Sequence, residues 1–360
     1  MMYKRLFIAA WIVLHSGALL FAFPPTLVLS GRGTGGLDAL EGAAAQGYAE
    51  ITGRFYVGTR VGIGDDGFLA LSGDLLGIYE LSPESSLSDA ESLGVSAGIP
   101  LGEGRITAEA GLRAAADDPV DGGYRLVPSW GVRYRAGNRA RALRPYLASS
   151  GSYVISETSD DDGLMQSVGA GVEFTPGVIT AYDVGLEAVY RNWTDIPVLL
   201  SSGAPSAETR RDLAAYLMAE ATGLFGYFTD WQVTGRAGFR TSTANRYIAA
   251  QSYLEDRSED RVETNVTAAV GYSPVREISV SFRSGFSLDY YLYREVLSEG
   301  GMRTGDLLTV SSVSASARLD WEIGRQLFLV AEGGGQWDFS ADAAERGWAA
   351  SISAGLDYTF

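Results

Sequence analysis

The segment WAASISAGLDYTF, residues 348–360, decides the fold of this chain. Every second residue is apolar, beginning at Trp348 and ending at Phe360. The residues between them, from Ala349 to Thr359, are small or polar. Successive side chains of a β-strand point to opposite faces of the sheet. A period of two therefore predicts a strand with one apolar face and one polar face.

The same alternation recurs along the chain, most clearly at residues 106–112, 213–221, 231–239, 278–288 and 313–321. These strands extend over about 10–15 residues, whereas strands of globular proteins average about 5–6. A strand that crosses a membrane needs about 9–11 residues. Opposite charges also recur on the polar faces, which suits a water-filled interior. The pattern favours a transmembrane β-barrel over a soluble β-sandwich.

The segments between the predicted strands alternate in length. The short ones are residues 64–67, 102–104, 175–178, 273–277 and 324–325. The long, mostly polar ones are residues 82–91, 115–123, 156–163, 194–209, 241–260 and 291–305. Short turns at one end and long loops at the other are typical of an up-and-down barrel in an outer membrane.

The composition limits the possible partners and chemistry. The chain has 360 residues, including 45 Gly, 19 Tyr, 14 Phe and 7 Trp, and this mixture suggests many strands rather than helices. Its net charge of −16 argues against nucleic acid as a partner, because phosphates would be repelled. The chain has no cysteine, which excludes disulfides and thiolate metal sites.

The N-terminus is typical of a Sec-type signal peptide. Lys4 and Arg5 precede an apolar run that ends near two prolines, and Ala22 is a plausible cleavage position. An uncleaved membrane anchor is the alternative. The prediction is a signal peptide at residues 1–22 and a barrel at residues 23–360. Cleavage would change the net charge to −18 and remove His15, the one histidine.

The C-terminal strand resembles that of bacterial outer-membrane β-barrel proteins. In that group the last strand ends in an aromatic residue, usually Phe, with apolar residues at alternate positions before it. The resemblance implies an all-β fold, a cell outer membrane location and a lipid bilayer as surroundings. It also implies that the barrel-assembly machinery recognises the last strand. The residues that carry the resemblance are Ile352, Ala354, Leu356, Tyr358 and Phe360.

The number of strands follows from the even strand count of single-chain bacterial barrels. Fifteen strands are predicted between Tyr48 and Phe360, whereas single-chain bacterial barrels have an even number. Residues 25–33 could supply a first strand, with residues 34–47 as the first outer loop, which gives about 16 antiparallel strands. The alternative is 14 strands, with residues 23–46 forming a small N-terminal plug.

The motif Gly31-x-Gly33-x-x-Gly36 has the outline of a dinucleotide-binding turn. Such a fingerprint requires alternating strands and helices after it. Helical periodicity is almost absent beyond residue 46, so a Rossmann fold is rejected. The glycines are interpreted instead as letting a first strand turn into a loop or pass close to the barrel wall.

The residues needed for common enzyme chemistry are missing. A mature chain without His or Cys cannot carry a Ser–His–Asp or Cys–His arrangement, so no enzyme activity is predicted. Asp117, Asp118 and Asp160–Asp162 could bind a divalent cation, but a solvated acidic loop is the simpler interpretation. No cofactor or metal is predicted. In the segment RYRAGNRARALR, residues 133–144, Arg133 and Arg135 are either the start of an anion-attracting stripe or part of a solvated turn.

The predicted function is an outer-membrane, porin-like channel for passive diffusion of small hydrophilic solutes or ions. The alternatives are a non-conducting surface-interaction or structural barrel that acts through its outer loops, and a transporter of apolar substrates with residues 23–46 as a hatch. Trimers are common among porins of this size, so a homotrimer is possible by analogy. The candidate lumen residues are Arg54, Arg60, Arg105, Glu109, Arg113, Arg133, Asp183, Glu187, Arg191, Glu220, Arg236, Glu263, Arg283, Arg318, Asp320 and Glu332.

Overall fold

The computed structural model describes residues 26–40, 46–63, 67–80, 87–116, 124–137, 142–156, 162–298, 300–342 and 345–359. The signal peptide predicted at residues 1–22 lies outside these residues, as does Phe360. The strands are β1 (Thr26–Leu40), β2 (Gln46–Ile63), β3 (Gly67–Glu80), β4 (Leu87–Leu101), β5 (Gly104–Ala116), β6 (Tyr124–Arg135), β7 (Leu143–Ser156), β8 (Gly163–Phe174), β9 (Thr180–Leu199), β10 (Pro205–Phe225), β11 (Thr229–Ser242), β12 (Arg246–Ile248), β13 (Tyr253–Glu255), β14 (Arg261–Val275), β15 (Ile278–Leu297), β16 (Arg303–Gly324), β17 (Leu327–Ser340) and β18 (Gly347–Thr359).

Sixteen of these strands form one closed, antiparallel, up-and-down barrel. Each strand pairs with the next one along the chain, and β1 pairs with β18 to close the cylinder. The other two strands, β12 and β13, form a separate hairpin between β11 and β14. The predicted all-β barrel of about 16 strands is confirmed.

The first strand differs from the prediction. It extends to Leu40, which pairs with Gly347, so the predicted loop at residues 34–47 shrinks to residues 41–45. A run of glycines hides the strand from a periodicity search, because glycine has no side chain to alternate. Residues 26–40 pair with neighbours on both sides, so the 14-strand barrel with an N-terminal plug or hatch is wrong. The glycine motif therefore lies within a strand.

The connections alternate in length around the barrel. At one end they are residues 64–66, 102–103, 175–179, 226–228, 276–277 and 325–326, with a longer one at 136–142. At the other end they are residues 41–45, 81–86, 117–123, 157–162, 200–204, 243–260, 298–302 and 341–346. The two ends are called the short-link end and the long-link end. By analogy with outer-membrane barrels, the short-link end faces the periplasm.

Two predicted long loops are mostly strand. The predicted loop at residues 194–209 is reduced to 200–204, and the one at 291–305 to 298–302. Backbone pairing continues there with irregular register, for example Thr209 with Pro197 and Glu295 with Leu307. Strands that protrude beyond a bilayer do not need alternate apolar residues, so the sequence pattern fades before the strand ends.

The outward face is apolar and surrounds the barrel. Leu186, Val168 and Ile352 are examples, with exposed fractions of 64%, 56% and 70%. Aromatic side chains gather on this face near the strand ends, and Phe174 stacks on Tyr182 with ring centroids 6.2 Å apart. An apolar band with aromatic girdles is what a lipid bilayer requires of a barrel surface. Separately, no helix among the described residues is long and apolar enough to span a membrane.

Candidate functional site

The strand register places all sixteen predicted lumen residues on one face of the sheet. Directly paired residues of antiparallel strands share a face, so the assignment can be followed from strand to strand around the barrel. Glu187 pairs with Tyr216, for example, and Arg318 pairs with Glu332. The register thus agrees with the parity used in the prediction. A role in lining a water-filled passage stays a prediction.

Side-chain contacts identify this face as the inner one. Arg133 on β6 lies 3.4 Å from Asp183 on β9, although β7 and β8 separate the two strands. Arg236 on β11 likewise reaches Glu187 on β9 at 3.0 Å, across β10. Side chains converge on the concave side of a curved sheet and diverge on the convex side. Contacts across intervening strands therefore mark the inside of the barrel.

A tyrosine organises the inner face near the short-link end. Tyr146 on β7 donates a hydrogen bond of 2.9 Å to Asp183 on β9. Its ring crosses β8 at Gly171, where a Cβ atom would meet the tyrosine hydroxyl and ring. The Arg133 guanidinium lies over the other side of this ring, 4.0 Å from its centroid. Glycine at position 171 thus makes room for a contact that joins three strands.

The same arrangement occurs on β10, β11 and β14. Tyr216 crosses β11 at Gly238 and donates a hydrogen bond to Glu263 on β14. The Arg236 guanidinium covers the Tyr216 ring at 3.5 Å. Arg240 pairs with the same Glu263 carboxylate at 2.9 Å. A tyrosine laid across a glycine, covered by an arginine and ending at a carboxylate is therefore a repeated element of the inner wall.

The sixteen predicted residues differ in their contacts. Ion pairs hold Arg54 to Asp74 at 2.6 Å and Arg318 to Asp320 at 2.6 Å. Glu220 accepts a hydrogen bond of 2.9 Å from Gln232. Arg133, Asp183, Glu187, Arg236 and Glu263 belong to the networks above, and Arg60 and Arg105 lie over the Phe68 ring. Within the described part of the chain, no hydrogen bond or ion pair involves Glu109, Arg113, Arg191, Arg283 or Glu332.

The prediction missed several residues of these networks. Tyr146, Glu173, Tyr216, Arg240 and Arg261 lie on the inner face and carry many of its polar contacts. The parity of their own strands would have included them, since Glu173 pairs with Asp183 and Tyr216 with Glu187. Contacts across strands depend on register, which alternation alone does not give.

The outer hairpin loop, residues 243–260, is a folded structure at the long-link end. The Asn245 side chain accepts a hydrogen bond from the Leu199 amide and donates one to the Leu199 carbonyl, both of 2.7 Å. Glu255 is almost fully buried and accepts hydrogen bonds from Arg246 and from the Glu295 amide at 3.0 and 2.8 Å. These contacts anchor the loop to β9 on one side and to β15 on the other.

Buried carboxylates hold the base of this loop. Asp260 is fully buried, accepts a hydrogen bond of 2.6 Å from the Ser242 amide and pairs with Arg257. Asp212 accepts two hydrogen bonds of 3.0 Å from Arg210 and one of 3.2 Å from Trp193. Each carboxylate has several donors, which is the condition for burying a charge at low cost.

The loop packs on inner-face side chains rather than standing away from the barrel. Glu259 lies 3.0 Å from Arg261 on β14, 3.7 Å from Arg294 on β15 and 4.0 Å from Arg210 on β10. At the same end of the barrel, Leu308 on β16 is fully buried against Tyr291 and Val296. The outer hairpin loop therefore covers part of the barrel wall at the long-link end.

A cavity of about 550 Å³ lies on the inner face of β3 to β8. Most of its lining residues are small, and the larger ones are Val95, Glu109, Trp130 and Met165. The lining includes the serines Ser72, Ser96, Ser129, Ser150 and Ser152. Small hydroxyl and glycine positions leave the interior open at this place.

Other predictions concern residues that the structure describes only in part. Asp117, Asp118, Asp160 and Asp161 lie outside the described residues. Among the described residues there is no group of three or more His, Cys, Asp or Glu side chains that could hold a metal ion. Ile352, Ala354, Leu356 and Tyr358 alternate along β18, and their role as an assembly signal stays a prediction.

Comparisons with known proteins show the fold and no family. No protein-family model matches the chain, and no curated protein matches it. OccAB1 of Acinetobacter baumannii has a similar structure, with a TM-score of 0.50 and 6% identity over 93% of this chain and 97% of that chain. OmpT of Vibrio cholerae gives a TM-score of 0.47 at 12% identity, over 93% and 98% of the two chains. With its apolar outward face, the chain has the porin-like fold of outer-membrane β-barrels.

Proposed function

We propose that this protein is a channel for passive diffusion of small hydrophilic solutes or ions across the outer membrane. One observation carries the proposal: the closed sheet is apolar outside and lined inside by charged and small polar side chains. A barrel built only for structure, or for apolar substrates, would not need so many ionised groups within its wall. Arg54, Arg236 and Arg318 are examples.

The size of the barrel agrees with this function. Sixteen strands about 4.8 Å apart and tilted by about 40° form a cylinder with a backbone radius of about 16 Å. Side chains from opposite walls cannot fill such a cylinder, and natural barrels of this size leave an aqueous channel. The mixed arginines and carboxylates create a field across the interior, which would select solutes by charge and dipole.

The test is single-channel conductance of the refolded mature chain in a planar bilayer. Stable conductance steps, with a reversal potential under a salt gradient, are expected of an open, charge-lined passage. A barrel that is folded and inserted but does not conduct would contradict the channel and favour a surface-interaction protein that acts through loops such as the outer hairpin loop. Circular dichroism and resistance to protease provide the control for folding and insertion.

Two partners belong to the same proposal. The barrel-assembly machinery would recognise the last strand, where Ile352 and Leu356 are exposed on the outward face. A homotrimer would bury part of the apolar surface. Chemical cross-linking of the protein in native membranes would detect both, as a trimer band and as an adduct with the machinery.

A further inference from the structure

We infer that one sector of the short-link end is a membrane anchor. Two neighbouring short links, residues 175–179 between β8 and β9 and residues 226–228 between β10 and β11, insert into the boundary between headgroups and acyl chains of a phospholipid bilayer. They are here called the first and the second apolar link. The inference concerns the lipid surface alone, so it does not depend on whether the barrel conducts.

The apolar links differ from the other short links in composition. Their sequences are TPGVI and GYF, which contain no acidic or basic residue. Turns that face water are normally polar. Each of the other short links contains at least one charged residue, and these residues are Asp65, Asp66, Glu103, Arg139, Arg141, Arg276, Glu277 and Arg325. The exception is therefore confined to one sector of the barrel.

Large apolar side chains project from the apolar links. The exposed fractions of Val178 and Tyr227 are 101% and 97%, so very little of either side chain packs on the described residues. Beside them, Ile179, Phe225 and Phe228 are more than half exposed. Water around such side chains is unfavourable, and an exposed apolar patch marks a contact with a membrane or with another protein.

Backbone hydrogen bonds hold the two apolar links side by side. The Leu224 amide donates a hydrogen bond of 3.1 Å to the Ile179 carbonyl, which joins the first link to the strand that leads into the second. The Ser273 amide donates one of 2.8 Å to the Phe228 carbonyl. The projecting side chains therefore form one patch at fixed positions on the barrel.

The patch continues the lipid-facing surface. The stacked rings of Phe174 and Tyr182 flank the first apolar link. The rings of Phe225 and Trp231 stack with centroids 5.8 Å apart and flank the second. Aromatic rings near strand ends mark the boundary between lipid and water. Each apolar link thus begins and ends at a pair of rings that lies at this boundary.

The height of the apolar band brings the bilayer to the apolar links. Towards the long-link end, the outward apolar positions of β9 and β10 end before Asn192 and its register partner Arg211. A band about 25 Å tall covers about ten residues of a strand that rises about 3.3 Å per residue and tilts by about 40°. Counted from Tyr190, the band reaches Thr180, the residue after the first link. The interfacial layer, about 5–7 Å thick, then includes both links.

A lipid surface fits the patch better than a water-soluble partner protein does. Protein interfaces normally have a polar rim around an apolar core. The patch is instead continuous with the exposed apolar face of β9 and β10, where Leu186 and Leu217 lie. It therefore has no polar rim on the side of the membrane.

The test uses spin labels on the full-length mature barrel in vesicles of phosphatidylethanolamine and phosphatidylglycerol. The chain has no cysteine, so each substitution supplies a single thiol. Val178→Cys and Tyr227→Cys place the label on the apolar links. Glu103→Cys and Arg325→Cys place it at exposed positions of charged short links and are the matched controls. Power saturation compares collisions with O₂, which dissolves in lipid, and with a neutral nickel chelate, which stays in water.

The ratio of O₂ to nickel collisions should be several-fold higher on the apolar links than in the controls. Equal ratios at all four positions would overturn the inference, since this sector would then meet the same surroundings as the charged links. Higher ratios in the controls would overturn it as well, and would leave the patch for a water-soluble partner. Circular dichroism and resistance to protease confirm that each variant is folded.

A second pair of variants tests whether the apolar side chains cause the insertion. Phe228→Asp in the Tyr227→Cys background should lower the collision ratio, because a carboxylate draws the second apolar link towards water. Phe228→Leu should keep the ratio. An unchanged ratio with Phe228→Asp would overturn the inference. Conductance is measured on the same vesicle preparations, so a barrel that conducts without a raised ratio disproves the anchor alone, and the reverse result disproves the channel alone.

Discussion

The group of ion pairs around Glu173 on the inner wall and the outer hairpin loop use the same residue types in different proportions. In the outer hairpin loop, buried Glu255 and Asp260 each accept several hydrogen bonds, as does buried Asp212 on β10 at the base of the loop. On the inner wall, the guanidiniums of Arg133, Arg135 and Arg144 share the Glu173 carboxylate, and Arg133 also pairs with Asp183. A polar network whose donors and acceptors match holds the chain in place.

The largest expected effect is the loss of the loop's central carboxylate. Asp260→Ala removes the acceptor of the Ser242 amide and leaves the Arg257 guanidinium without its partner. Asp260 also accepts a hydrogen bond from Thr241, and losing these three contacts while the Ser242 amide stays buried costs about 3–5 kcal/mol. Hydrogen exchange at the Ser242 amide should accelerate accordingly, while the amides of β4 and β5 stay protected. Asp256→Ala, at an exposed position of the same loop, is the control, and equal exchange in both variants would contradict the role of Asp260.

The next largest effect is expected at the buried apolar contact of Leu308 at the long-link end. Leu308→Ala should lower the free energy of unfolding by about 3 kcal/mol, because its fully buried side chain leaves a cavity against Tyr291 and Val296. Urea unfolding in detergent measures the change. Val313→Ala, on the lipid-facing side of the same strand, should lower the free energy of unfolding much less. A similar decrease for both variants would show that Leu308 does not pack in a buried core.

A smaller effect is expected where the loop meets β9. Asn245→Ala removes two hydrogen bonds to Leu199 and should release the hairpin at a cost of about 1–2 kcal/mol. Trypsin should then cleave after Arg246 faster than in the unmodified protein. Asn245→Asp keeps the size of the side chain but replaces the NH₂ group that donates to the Leu199 carbonyl. If trypsin cleaved this variant no faster than the unmodified protein, the hydrogen bond to the Leu199 carbonyl would not be needed to hold the loop.

The smallest expected effect is a change in ion selectivity when the shared carboxylate of Glu173 is neutralised. Glu173→Gln leaves three guanidiniums with less compensation, so the anion-to-cation permeability ratio should rise by about twofold. The reversal potential under a salt gradient reports this ratio. Glu277→Gln, in an exposed short link, should leave it unchanged. A shift of the Glu173 variant towards cations would show that Arg133, Arg135 and Arg144 do not set the ion selectivity.

The alternation of apolar and polar residues predicted which side chains lie on the inner face of the barrel. It did not predict the side-chain contacts that join different strands. The parity of Arg105, Glu109 and Arg113 was sufficient to assign a face, because a strand has only two. Contacts such as Tyr146 with Asp183 could not be predicted, since they depend on the registers of two successive strand pairs and on a glycine between them. The same information would have been needed to see the arginines converge.

The ends of the strands were predicted well only where the strands cross the bilayer, because there the outward residues must be apolar. The turns at residues 102–103 and 276–277 fall within their predicted segments. The sequence pattern predicts loops for the protruding parts of β9, β10, β15 and β16, because both faces of these parts meet water and need no alternating apolar residues. The hairpin β12–β13 was hidden for a related reason, since three-residue strands carry too few positions to show a period.

The seam between β1 and β18 determines the order in which this chain can fold. The other fifteen seams join strands that follow one another along the barrel, so they can form as hairpins. The closing seam includes an ion pair of 2.9 Å between Arg32 and Asp357, 325 positions apart in sequence. Bringing such distant segments together costs about 2–3 kcal/mol more chain entropy than closing a hairpin. Closure is therefore the high-contact-order step, and substitutions at this seam should slow folding more than they weaken any single hairpin.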